Sequence, residues 1–500
     1  MLHIERVQDI EVLRQIALLQ EREIEKLHNR LTALSVQLAK LTGQDATQAQ
    51  IEIDILKDLL AQRERALFGD SSEKRPPEGD RPATPRKPRK GHGPTEQTTL
   101  PIEEEIHQLP PSELDCPECG GSLAEMKGQF EESEEITVVQ RSFKLVKHLR
   151  QKYRCRCNAC VVTAPGPLKL QAGGRYSLEF AVEVAASKYL DHLPLERQVR
   201  MMAREGLNVS SQVLWDQLDI LARYLKPDYE DLGNQILRSY FIHADETPWR
   251  LMGKGKSVRW WVWSINNRDT VFHKIQSSRS AEAAGEILKD YHGIAMADGY
   301  SAYKSLARPG PGGREAPFRL VHCWAHVRRK VREAENAFPR ECRVALDLIR
   351  DLYLVEREAP RGDDPEALGR RAELRAEKSK PIIEAIKRWA VEQRALPESR
   401  LGKAINYMLN LWPGLTAFLL EPSIPLDNNA AERGLRGVVI GRKNHYGSRS
   451  IRGTDVAAIY YSLFETAKLR GLEPKSYVLE LARAAITQST TRYVPTLQTV

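Results

Sequence analysis

The sequence predicts a multidomain α+β protein, and three observations carry that prediction. Apolar residues near the N-terminus recur at alternating spacings of three and four. Two groups of cysteines bracket strand-like alternation. Further on, short apolar runs that close on acids are followed by long stretches rich in Arg, Glu and Ala with helical spacing. The 500 residues, 41% hydrophobic and 28% charged, suit several domains with a sizeable core. A net charge of +8 is compatible with phosphate contacts where the charge is concentrated. No run of about eighteen apolar residues occurs, so no membrane span is expected. The first residues lack a secretory apolar core, which places the chain in the reducing cytoplasm of its cell. There its 7 cysteines are expected to act as thiols and metal ligands rather than as disulfides.

Residues 1–69 read as a coiled coil followed by a second helix. Ile24, Leu27, Leu31, Leu34, Leu38 and Leu41 hold a heptad register that Ile10, Leu13 and Ala17 continue backwards, with Gln20 as a polar break. Self-pairing into a homodimer or higher oligomer is the simplest use of such a seam. Residues 70–100 form a basic linker, broken by Pro76, Pro77, Pro82, Pro85 and Pro88.

Residues 101–172 read as a zinc module. Cys116-Pro-Glu-Cys119 makes a knuckle turn, and Cys155-Arg-Cys157-Asn-Ala-Cys160 supplies a second pair. Four thiolates in two such pairs form the tetrahedral shell that structural Zn²⁺ prefers. Cys116, Cys119, Cys157 and Cys160 are the expected ligands, with Cys155 the alternative to Cys157. Glu135–Val139 and Phe143–Leu149 alternate like two strands of a hairpin between the pairs.

Residues 173–236 are expected to be helical. Leu195–Ala203, a turn at Glu205–Val209 and a Ser-capped helix from Ser210 to Leu225 fit a helix-turn-helix, or equally a helical hairpin packed on the next domain. That domain spans 237–483, with a tail at 484–500. Its predicted order is a strand ending at Asp245, strands Val258–Ile265 and Thr270–Ile275 joined by a turn, a helix Ala281–Lys289 and a strand ending at Asp298. Trp260, Trp261 and Trp263 are expected as sheet and core aromatics. A helical insertion is expected over about 327–420 before the polar helix that carries Glu432.

Two strand-end aspartates and a helix-borne glutamate can converge, and converged carboxylates repel unless a cation lies between them. Hard oxygen ligands suit Mg²⁺ or Mn²⁺. Two such ions would clamp the attacking and leaving oxygens of a phosphodiester displacement. Asp245, Asp298 and Glu432 are therefore the candidate catalytic and metal-binding acids of a polynucleotidyl transferase. Glu246 and Asp427 compete with them. Glu246 would face the opposite way if the strand ran on, and Asp427 reads as the N-cap of the helix carrying Glu432.

The segments His243-Ala-Asp-Glu-Thr-Pro248, Ala297-Asp-Gly-Tyr300 and Asp427-Asn-Asn-Ala-Ala-Glu-Arg433 resemble the three catalytic blocks of the insertion-sequence-66 transposase family. Leu67–Lys74, the Cys323-x-x-His326 pair and Gly447–Gly453 are also similar to it. The resemblance implies a catalytic domain of RNase H-like α/β architecture, two catalytic Mg²⁺ or Mn²⁺ ions and a structural Zn²⁺. It also implies cleavage at insertion-sequence ends and 3′-hydroxyl strand transfer into target DNA. Expected partners are DNA (element ends and target) and small accessory proteins, in a prokaryotic, nucleoid-associated cytoplasmic setting. Cys323, His326 and Arg328 are expected as auxiliary residues. Arg433, Arg436, Arg442, Lys443 and Arg449 are candidates for DNA-backbone contacts. Two rival expectations are an RNase H-like nuclease that cuts without joining and an inactive zinc-containing DNA-binding regulator.

Overall fold

The computed structural model describes residues 142–154, 161–171, 173–253, 257–288, 290–309 and 315–487, with a few isolated positions before them. The chain divides into two units, Asp70–Arg141 and the remainder, and almost all described residues belong to the second. The expected coiled coil, basic linker and the cysteines at 116, 119, 155, 157 and 160 lie outside the described residues.

Two short antiparallel strands, β1 (Lys152–Arg154) and β2 (Val161–Thr163), flank the second cysteine group in sequence. The strand expected at Phe143–Leu149 is absent. That segment is irregular, with Leu145, Val146 and Leu149 exposed, and its expected partner Glu135–Val139 lies outside the described residues.

Helices α1 (Leu178–Tyr189), α2 (Leu195–Arg204) and α3 (Ser211–Leu237) follow. Ser177 and Ser210 cap α1 and α3 by accepting from the N–H groups of Phe180 and Val213. The sequence suggested an end near Leu225, but α3 runs twelve residues further, through Pro227. Its last turns bury Leu232, Gly233 and Ile236 against the sheet, and this packing outweighs the proline penalty. α3 packs into the domain interior, which either arrangement weighed for α2 and α3 allows. Leu214, Leu218, Leu221, Ala222 and Leu225 share one core with α1, two C-terminal helices and the sheet residues Trp249, Val262 and Ile275.

The central sheet has five strands in the order β5–β4–β3–β6–β7. They are β3 (Phe241–Met252), β4 (Ser257–Asn266), β5 (Val271–Gln276), β6 (Ile294–Ala297) and β7 (Arg319–His322). β3, β4 and β5 pair antiparallel, while β6 and β7 add in parallel to β3. Helices α4 (Ala281–Leu288) and α5 (Ser301–Leu306) lie before and after β6 in sequence. The first strand does not stop at Asp245. Its antiparallel pairing with β4 holds as far as Met252↔Ser257. Pro248 is tolerated because β6 accompanies β3 only from Phe241 to His243, which leaves that edge open further on. β7 was also not anticipated, and the helical region begins at Trp324 rather than at Val327.

That region comprises α6 (Trp324–Ala334), α7 (Pro339–Glu358), α8 (Pro365–Leu374), α9 (Lys380–Glu392), α10 (Arg400–Asn410) and the short α11 (Trp412–Leu415). It packs on Ile294, Met296 and Val321 of the sheet. The opposite face, with Ile242, Ala244, Trp263 and Ala297, is covered by α4 and α5. The chain ends with α12 (Asn429–His445), α13 (Ile451–Leu469) and α14 (Pro474–Ile486). α13 is buried on every side, as an all-round apolar helix should be. Its hydroxyls also protect the edge strand β5: Ser462 Oγ accepts from His273 N, and Thr466 Oγ1 accepts from Val271 N.

Candidate functional site

Asp245, Asp298 and Glu432 line one open cleft of about 630 Å³, with Glu246, Arg279, His326, Arg329 and Tyr407. The cleft lies where β3 runs past the end of β6. There one edge of β3 has no strand partner, and α12 packs against it. Asp298 directly follows β6, and Glu432 sits in the first turn of α12. The helix repeat places Leu435 and Val439 on the same face as Glu432, and both line the cleft.

Asp245 sits in surroundings that disfavour its charge. Burial, then the nearby Glu246 charge, then Asp298 and Glu432 push its carboxyl up to about 7, although Oδ1 accepts from Glu246 N at 2.8 Å. Asp298 Oδ1 accepts from Tyr300 N at 2.8 Å, a turn that fixes the carboxylate as the chain leaves β6. Glu432 Oε1 accepts from Arg329 Nη2 of α6 at 3.2 Å, across a half-exposed ion pair.

Glu246 has a different set of partners. Because β3 continues, successive side chains alternate faces, and Glu246 turns towards α5. Its Oε1 accepts from Arg279 Nε at 2.9 Å, and from Nη2 as well. Its Oε2 accepts from Tyr303 at 2.7 Å. Arg279 is in turn stacked 3.8 Å from the centroid of the Tyr300 ring and 4.8 Å from that of Trp261. Burial raises the Glu246 carboxyl, and these two donors oppose the rise. Glu246 is thus committed to an internal network in a way that Asp245 is not. Asp427 serves the chain turn: Oδ1 accepts from Asn429 N at 3.0 Å and Oδ2 from Asn429 Nδ2. The formal N-cap position belongs to Asn428, one residue later than expected.

Asn428 is the residue that sequence reasoning undervalued. It is 1% exposed. Its Oδ1 lies 2.8 Å from His243 Nδ1, its Nδ2 donates to Ala244 O at 2.9 Å, and its N–H donates to Cys323 Sγ at 3.1 Å. Because Nδ2 is the donor to Ala244, Oδ1 must be the acceptor, so His243 carries its proton on Nδ1. The start of α12 is thereby tied to the strand that holds Asp245. The only sequence signal was its position between Asp427 and the helix.

Cys323 and His326 have separate tasks. Burial pushes the Cys323 thiol up to about 12, so it acts as a protonated, buried acceptor at the N-cap of α6. His326 faces the cleft from the first turn of that helix. Burial, then Arg329, lowers its basicity, and its buried Nδ1 has no hydrogen-bond partner. Arg328 does not line the cleft. The basic residues that α6 contributes there are Arg329 and Lys330. Arg433, Arg436, Arg442, Lys443 and Arg449 also lie outside its lining. Of these, Arg442 is bound to β3, donating to Thr247 Oγ1 at 2.7 Å and to Pro248 O.

Among the described residues no group of three or more His, Cys, Asp or Glu side chains is arranged so that it could hold a metal ion. The donor chemistry nevertheless suits a hard divalent cation. Asp245, Asp298 and Glu432 line the cleft together with Glu246 and Glu333, and burial and the neighbouring charges disfavour Asp245 as an anion.

A family model described as "Transposase IS66 family" matches residues 173–456. A second, "zinc-finger binding domain of transposase IS66", matches residues 113–158, a span that includes Cys116, Cys119, Cys155 and Cys157 and ends before Cys160. Three Sinorhizobium fredii proteins are similar over most of their length. "Uncharacterized protein y4jD" is 30% identical over 398 residues, 77% of this chain and 77% of its own. "Uncharacterized protein y4qI" is 30% identical over 415 residues, 80% and 75% of the two chains, and "Uncharacterized protein y4hP" 28% over 401 residues, 75% and 71%. The described residues contain no helix long and apolar enough to cross a membrane. The first match alone covers more than half of the 500 residues and takes in all three candidate acids: the chain belongs to the IS66 family of transposases.

Proposed function

We propose that this transposase cleaves DNA at the ends of an insertion sequence and joins the freed 3′-hydroxyl to target DNA, with Asp245, Asp298 and Glu432 as its catalytic acids. The observation that carries the reading is their arrival at one cleft from three distant chain segments; of the competitors, Glu246 lines the same cleft but is held by Arg279 and Tyr303, and Asp427 lies outside the lining, bonded to Asn429. The central sheet, with three antiparallel strands followed by two parallel ones, supports an RNase H-like arrangement.

The three carboxylates would hold two Mg²⁺ or Mn²⁺ ions. When bound, such ions supply an activated attacking oxygen and charge stabilisation of the leaving oxygen. In the first step water bonds to phosphorus and the P–O3′ bond breaks, releasing a 3′-hydroxyl. In the second, that hydroxyl oxygen bonds to a target phosphorus and the target's own O3′ leaves. Arg329 and Lys330 line the cleft and offer positive charge to phosphate oxygens, and His326, which also lines it, orients a phosphate or a carboxylate. Arg433, Arg436, Arg442, Lys443 and Arg449 hold DNA outside the cleft. A structural Zn²⁺ on Cys116, Cys119, Cys157 and Cys160, with Cys155 the alternative, keeps the N-terminal module folded. The heptads pair two copies so that both element ends enter one complex.

The test is Mg²⁺-dependent cleavage and joining of labelled DNA that carries the flanking element ends, with Asp298→Asn as the control. Joining that disappears in the folded variant supports the reading. Normal joining by that variant, or cleavage without joining by the native protein, overturns it.

A further inference from the structure

We propose that the outer end of the β3–β4 ribbon, together with the loop after α12, is a docking surface for the phosphate backbone of duplex DNA running outward from the acidic cleft. The proposal rests on the reading of the cleft as a DNA-processing site.

The ribbon carries a charge arrangement that works against folding. Arg250 and Arg259 are direct cross-strand partners, so their side chains leave the same face of the ribbon. Both are exposed. Like charges placed opposite one another destabilise a strand pair, and no acid occurs anywhere between Glu246 and Asp269 to offset them.

The loop after α12 adds to this surface. It is fastened to β3 by Ser448 N donating to Arg250 O at 3.0 Å and Met252 N donating to Ser448 O at 2.8 Å. Gly447, at φ 117°, permits the approach, because a Cβ there would collide with Arg250 O. Arg449 follows directly. Arg442 reaches the same strand from α12 and lies close enough to Arg250 for the two charges to repel. Among the described residues none of Arg250, Arg259, Arg442 and Arg449 has an ion-pair partner; backbone bonds hold Arg250 to the loop that carries Arg449, and Arg442 is tied to β3 through its side chain.

A surface that concentrates unpaired guanidinium groups is complementary to a polyanion. Its position selects duplex DNA. Arg250 lies five residues beyond Asp245 on one continuous strand, a reach of roughly 17 Å at about 3.3 Å per residue. That corresponds to about five base pairs of duplex, at about 3.4 Å per pair. A two-stranded ribbon also has the width that the major groove admits.

The experiment uses the full chain and a fluorescent duplex of arbitrary sequence, about 30 base pairs long, titrated over a range of salt concentrations. Each phosphate contact contributes about −0.9 to the slope of log K against log salt. The double variant Arg250→Gln/Arg259→Gln is expected to show a slope shallower by about 1.8 and an affinity at least fivefold weaker at low salt. Arg250→Glu would create an opposite-charge pair with Arg259, so it should melt at or above the native temperature while binding DNA at least tenfold more weakly. Unchanged slope and affinity in both variants, with a native protein that still cleaves and joins, would overturn this inference and leave the proposed function intact. Ribbon-dependent binding by a native protein that never cleaves would do the reverse. A native protein that binds no duplex overturns both.

Discussion

Nδ1 of His243 donates to Oδ1 of Asn428 across 2.8 Å, joining strand β3 to the first turn of α12, although the two residues are 185 positions apart. The bond is buried, and the same amide donates to Ala244 O. It ties the strand that carries Asp245, two residues after His243, to the helix that carries Glu432, four residues after Asn428. Replacing Asn428 by Ala should leave the His243 N–H and the Ala244 carbonyl without partners, at a cost of about 1–3 kcal/mol for each buried polar group left unsatisfied. Joining should fall at least tenfold with DNA affinity unchanged. Equilibrium unfolding alongside single-turnover joining would check this, and equal losses of binding and joining would contradict a positioning role.

Glu246 and Asp245 should respond differently to the same isosteric change. Asp245→Asn is expected to abolish joining while leaving the unfolding midpoint close to native, because it removes charge from an acid that its neighbours already disfavour as an anion. Glu246→Gln weakens the bonds to Arg279 and Tyr303, so it should destabilise the fold and retain measurable joining. Removing the other partner with Arg279→Ala should cost about 2 kcal/mol, less than a fully buried pair because its side chain is 35% exposed.

Acid should unfold the domain through its buried histidines. Burial pushes His273 down to about 3, and neither ring nitrogen has a hydrogen-bond partner. Burial likewise lowers His445 to about 3 and His243 to about 4. An unfolded histidine binds its proton near pH 6.5, so the unfolded chain takes up protons first as pH falls. The stabilisation is fully present above about pH 6.5 and is lost progressively towards the folded values, at about 1.4 kcal/mol per pH unit for each such group. His273→Leu should remove one group's share of that slope between pH 6 and pH 4, as read from urea midpoints across the range.

Zinc content can decide between the cysteines of the second group. Full chain carrying Cys116→Ser or Cys160→Ser should lose bound zinc, and Cys157→Ser should do the same if Cys157 and Cys160 form the second pair. Cys155→Ser should then retain it. The opposite outcome for Cys155 and Cys157, measured as metal per chain after dialysis, would assign Cys155 in place of Cys157.

Much of the site could be read from local sequence. Asp298 follows an apolar run that forms a four-residue strand, all of it buried. Glu432 and the helix after Asp427 were visible in the same way, as was the alternation that turns Glu246 away from Asp245. These features depend on neighbours within a few residues, and a side-chain period is a local property.

Other features depended on partners distant in the chain. β3 passes through Glu246, Thr247 and Pro248 because β4 pairs with it to Met252, and α3 passes through Pro227 because Gly233 packs on Phe272. Asn428 has no special local pattern, and its importance comes from His243, Ala244 and Cys323 meeting it in space. The repulsive pair Arg250 and Arg259 exists only once the strand register is set. The sequence by itself determined most of the helices and strands around the cleft and which acids are candidates, since propensity and periodicity act over a few residues. The tertiary structure decided where strands end, which acids remain uncommitted and which cations are left unpaired, because burial and charge pairing are settled only when distant segments pack together.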